Sequence, residues 1–69
     1  MRKSIGLDGK KISKLLIEQD MFTNDLVEKS GLSRTTVSAI KSGKRCNQLS
    51  ASKIASALGV DVTEIMKEA

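Results

Sequence analysis

The sequence has no proline, no histidine, no tryptophan and no tyrosine, and Phe22 is its one aromatic residue. Sandwiches and barrels of β-strands draw on aromatic residues and on proline at their turns, so a β-rich fold is disfavoured. Without histidine the usual general base and a leading zinc ligand are both missing. There is no Cys/His or Ser/His arrangement and no glycine-rich phosphate loop, so no enzyme, no cofactor and no metal site is expected. The single cysteine, Cys46, rules out a disulfide framework and makes a reducing cytoplasm the simplest compartment. Set in a polar stretch, it reads as an ordinary thiol rather than a redox sensor. No apolar run approaches the ~20 residues of a membrane span. The opening MRKSIGLDGKK is basic with no apolar stretch behind it, unlike a signal peptide.

What is present is a chain of 69 residues, enough for one domain with a small core. Leu, Ile, Val and Ala supply the apolar side chains, which suits an all-α fold. The net charge of +4 is unevenly spread. Acids gather at Glu18, Asp20, Asp25 and Glu28, whereas residues 29–60 hold Lys29, Arg34, Lys41, Lys44, Arg45 and Lys53 with no acid. An acid-free basic middle is the pattern of a surface that meets a polyanion, although a merely solvated basic face would look the same.

The periodicity predicts five short helices and no strand. Residues 1–7 read as an arm with little to bury, and residues 8–69 as the domain. Asp8 is placed to cap a first helix whose apolar stripe is Ile12, Leu15 and Leu16, ending near Asp20. Met21 and Phe22 read as a buried connection. A second helix spans about Thr23 to Ser30, with Leu26 and Val27 inward and Gly31 ending it. Ser33 caps a third, from about Arg34 to Ser42, with Val37 and Ile40 inward. KRCNQ reads as a polar loop. A fourth helix carries Ile54, Ala55 and Leu58. Asp61 and Glu64, spaced as in a capping box, open a fifth whose apolar contacts are Ile65 and Met66.

The third helix starts oddly. Thr35, Thr36 and Val37 are β-branched and poor helix formers, and the front end, Ser33-Arg34-Thr35-Thr36, is made of short polar residues and one arginine. With Val37 and Ile40 turned to the core, Ser33 to Thr36 must project outward. Short side chains let a helix end approach another surface closely. Ser and Thr both donate and accept, and Arg34 offers two parallel donors that match a guanine edge. The helix start adds free amides that suit phosphate. The alternative is that these residues only cap and solvate a surface helix.

DLVEKSGLSRTTVSAIKSGKR, followed by KIASALGVDVTEIM, resembles the lambda-repressor-like, Cro/C1-type (XRE) helix-turn-helix family of phage and bacterial regulators over about residues 10–67. The resemblance implies a compact five-helix domain that binds double-stranded DNA as a small transcriptional regulator, with helix three in the major groove. It implies base reading by Ser33, Arg34, Thr35, Ser38 and Ala39. It implies phosphate contacts from Thr23, Lys41, Lys44 and Arg45. A homodimer through helix five would be the expected assembly. A protein partner, as for an antirepressor or antitoxin on the same fold, is the rival expectation. Three features depart from the family pattern. Phe22 stands where a Ser or Thr cap is usual, Val27 replaces a usual alanine, and the loop before helix four is short and lacks proline.

Overall fold

The computed structural model describes residues 4–67. Four α-helices, a single 3-10 turn and a two-stranded antiparallel sheet are formed by the described residues. In order they are β1 (Ser4–Ile5), α1 (Gly9–Glu18), α2 (Thr23–Ser30), α3 (Arg34–Lys41), β2 (Cys46–Asn47), α4 (Gln48–Leu58) and the 3-10 turn Val62–Glu64. The first four helices expected from periodicity are present within two or three residues of their predicted ends.

The fifth helix and the all-α class need correction. Asp61 and Glu64 do meet, the Glu64 carboxylate accepting from the Asp61 N–H at 3.1 Å. The segment makes only one turn, because the chain beyond it leaves to run beside residues 6–8. The Asp8 N–H donates to the Ile65 carbonyl at 2.8 Å and the Lys67 N–H to the Gly6 carbonyl at 2.9 Å, with Leu7 bridged to Met66. On its other side the same N-terminal segment pairs with β2, Ser4 opposite Asn47 and Ile5 opposite Cys46. Residues 4–7 therefore do not form an arm with little to bury. Leu7 is fully buried, and the KRCNQ stretch contains a strand rather than a polar loop throughout.

The core consists of Leu7, Ile12, Leu16, Leu26, Val37, Ile40, Ala51, Ile54, Ala55, Leu58 and Ile65. Burying side chains of this size stabilises by roughly 1.5–3 kcal/mol each, which a domain this small needs from every helix. Val27 is partly buried and packs against the rim of this core instead of inside it. Phe22 is not buried. It is 78% exposed, because the backbone is extended there (φ −100°, ψ 165°) and carries the ring away from the core.

The helix ends follow from local chemistry. Asp8 caps α1 by accepting from the Lys10 N–H at 2.9 Å, and Asn47 caps α4 through Ser50 at 2.7 Å. Phe22 has no capping oxygen, and Asp25 compensates by accepting from the Phe22 N–H at 2.9 Å. Helix α1 closes with Met21 N–H to Leu16 O and Asp20 N–H to Ile17 O, with Asp20 in the left-handed region at φ 58°. The start of α1 lies so near the end of α3 that a Cβ on Gly9 would stand 1.9 Å from the Lys41 carbonyl oxygen. Only glycine fits that approach, and it fixes where α3 lies against α1.

Candidate nucleic-acid interface

The segment from α2 to α3 is built around a tight turn. Gly31 takes φ 74°, as only glycine does readily, and its N–H closes α2 on the Val27 carbonyl at 3.1 Å. The buried Ser30 hydroxyl donates to the Val27 carbonyl and accepts from the Leu32 N–H, both at 3.3 Å. That bond ties the chain inside the turn. Ser33 then caps α3, accepting from the Thr36 N–H at 3.2 Å, while its hydroxyl and that of Thr36 lie 2.8 Å apart. With Val37 and Ile40 buried, Ser33, Arg34, Thr35 and Ser38 are exposed on the opposite side of α3 and Ala39 is half-buried beside them.

These five residues therefore share the outer side of one helix, but they are not equivalent. The Ser33 hydroxyl is occupied by capping, whereas the Thr35 and Ser38 hydroxyls face outward. Arg34 donates through a terminal guanidinium nitrogen to the Asn24 side-chain carbonyl oxygen on α2. Asn24 was not singled out from sequence. The two residues are ten positions apart and on different helices, so no periodicity links them. The turn alone brings the start of α2 beside the start of α3. Asn24 restrains the plane of the guanidinium and leaves its other donors available.

Of the four residues assigned to phosphate, two meet directly. The Lys41 ammonium donates to the Thr23 hydroxyl at 2.9 Å, so the end of α3 and the start of α2 share one polar contact. Lys44 is exposed, and its position is fixed by its backbone. Its N–H reaches the Ala39 carbonyl at 3.0 Å while the Gly43 N–H reaches Ile40 at 3.0 Å, the pattern that closes an α-helix on a left-handed residue. Arg45 is turned elsewhere. Its Nε donates to the Ser4 hydroxyl and a terminal nitrogen to the Ser4 carbonyl, both at 2.7 Å, so it fastens β1 to the loop after α3. Sequence gave no sign of this pairing, since the two residues are 41 positions apart.

Two helices pinned by a short glycine turn, with a polar, arginine-bearing helix start held outward, define a helix-turn-helix protein. The family model for the Cro/C1-type HTH DNA-binding domain matches residues 11–67. The chain belongs to that family, and the matched span takes in α2, the turn and α3 as well as the helix and turn that follow. Neither the curated proteins nor the solved structures give a match to the chain. Among the described residues no helix is long and apolar enough to cross a membrane, and no cluster of His, Cys, Asp or Glu is fit to hold a metal ion.

Proposed function

We propose that this protein is a small transcriptional regulator of the repressor or Cro-like kind, which sets α3 into the major groove of duplex DNA. The observation that carries this reading is the outer side of α3. It presents Arg34, Thr35 and Ser38 over a helix start where the Ser33 hydroxyl takes the Thr36 amide and no bond within the described residues takes those of Arg34 and Thr35, with no large apolar side chain among them. In this reading Arg34 reads a guanine edge, Thr35 and Ser38 make adaptable hydrogen bonds, and Ala39 meets a thymine methyl group. Ser33 contributes mainly by capping. Thr23, Lys41 and Lys44 lie along the edge of this surface and take backbone phosphates.

The experiment is a paired titration on the operator recovered by binding-site selection and on a scrambled duplex at fixed salt. Arg34→Ala is expected to cost about 1–3 kcal/mol on the selected site and much less on the scrambled one. Equal losses on both would make Arg34 a phosphate contact. No loss on either would remove α3 from the groove.

One observation favours the second reading, a regulator that grips another protein. Ile17 and Phe22 are each 78% exposed and Leu49 is 64% exposed, and large apolar side chains in water are the usual anchors of a protein interface. They lie on α1, the α1–α2 connection and α4, away from the outer side of α3. The two readings therefore use different surfaces, and the DNA reading is the better supported for α3.

The homodimer expected through a fifth helix is not carried forward. That segment is one 3-10 turn, and Ile65, its strongest apolar residue, is fully buried in its own core.

A further inference from the structure

Three segments distant in sequence converge beside the last turn of α3. Gly9 allows the start of α1 to approach the Lys41 carbonyl. The backbone bonds of residues 6–8 to residues 65–67 place Lys67 next to that start. The result is an open concavity of about 390 Å³ whose lining includes Gly9, Lys10, Lys41, Ser42, Gly43 and Lys67. Lys10 and Lys67 are exposed at its margin, and no ion pair holds either of them among the described residues. Its one carboxylate, Asp8, is engaged in capping α1. Lys10 and Lys67 set two ammonium groups against that one carboxylate, while the Lys41 ammonium is engaged with Thr23, so the margin is cationic. The open side of the concavity lies at Gly43, where a side chain would meet nothing within 4 Å, whereas the space at Gly9 is taken by the Lys41 carbonyl.

We infer that this concavity binds a backbone phosphate of the same duplex, beyond the base pairs that α3 covers, with Lys10 and Lys67 as its cationic contacts. The inference rests on the DNA reading given above. The geometry points to DNA rather than a free anion because Lys41 belongs both to this concavity and to the Thr23 contact, and because Gly43 leads directly to Lys44. A phosphate here would continue a row that Thr23, Lys41 and Lys44 begin. Neither residue stands out from sequence, since Lys67 joins Lys10 only through the pairing of the two chain ends.

The test is the salt dependence of binding for the full chain and for Lys10→Gln/Lys67→Gln, on a long duplex and on one trimmed to the base pairs under α3. Losing the one phosphate that the two lysines hold lowers the slope of log affinity against log salt by about 0.9. On the long duplex the variant should lose about three- to fourfold less affinity than the parent between 50 and 200 mM salt. On the trimmed duplex the two proteins should show equal slopes. Lys53→Gln, at a lysine that lines neither this concavity nor the edge of α3, should leave the slope unchanged. Lys10→Arg/Lys67→Arg should restore it if the Gln pair disturbs the fold. An unchanged slope for the folded Gln variant overturns the inference while leaving the role of α3 intact, because Arg34→Ala tests that role separately. An equal fall with Lys53→Gln would show only a general charge effect, and binding of free inorganic phosphate with no change on DNA would make the site an anion site unrelated to the duplex. If the parent binds no duplex, the underlying reading has failed.

Discussion

Arg45 and Arg34 are both exposed cations in the acid-free middle of the chain, yet their surroundings assign them different work. Arg45 spends two hydrogen bonds on Ser4, and Arg34 spends one on Asn24 at the front of the helix-turn-helix. Arg45→Ala should therefore lower thermal stability by about 1 kcal/mol, the scale of a lost exposed hydrogen-bonded tie, and leave the salt slope of DNA binding unchanged. A slope smaller by about one unit with an unaltered melt would identify Arg45 as a phosphate contact instead. Cys46 offers a second check at this scale. Burial in β2 pushes its thiol pKa up, because the charged thiolate is the form that burial disfavours. At any mildly alkaline pH less thiolate is present than in a free cysteine, so alkylation by iodoacetamide should be slower in the folded protein than in the denatured chain. Faster alkylation when folded would show an activating neighbour and reopen a redox role.

The helices were legible because each carries its own repeat and its own stop. Val37 and Ile40 are spaced to face one way, and a glycine stands after α2, near the end of α3 and after α4. The strands were not legible. Two-residue pairings such as Ser4 with Asn47 leave no alternation to detect, and their partners lie more than forty positions away. Phe22 was misplaced for a related reason. Its apolarity suggested burial, but its extended backbone as the residue before α2 turns it to solvent. Two changes test the packing at this scale. Val37→Ala empties part of a fully buried position and should cost roughly 1–3 kcal/mol in a thermal or urea melt. A loss of a few tenths would mean that α3 is not held as described. Asp20→Gly acts the other way. It relieves a left-handed backbone at φ 58° and should raise stability by up to about 1 kcal/mol. A destabilised Asp20→Gly would mean that the aspartate side chain itself holds the end of α1.

At the level of the whole molecule, folding sorts the charges that the sequence only counts. The outer side of α3 and its margin were legible as residue types, through Ser33, Arg34, Thr35 and the lysines that follow. Their partners were not, because Asn24 with Arg34, Ser4 with Arg45 and Lys67 with Lys10 are neighbours only once the turn and the strand pairings exist. Lys10, Lys41 and Lys67 then line one concavity beside the last turn of α3, and in the DNA reading each phosphate neutralised there or at Lys44 releases counterions. The measurement that bears most directly on this account is the affinity of the full chain for its selected duplex from 50 to 200 mM salt. Three phosphate contacts, at Lys41, at Lys44 and at the Lys10/Lys67 concavity, predict a slope near −2.7 and a loss of about fortyfold over that range. A flat response, or no binding at the lowest salt, would contradict the assignment of this face to DNA.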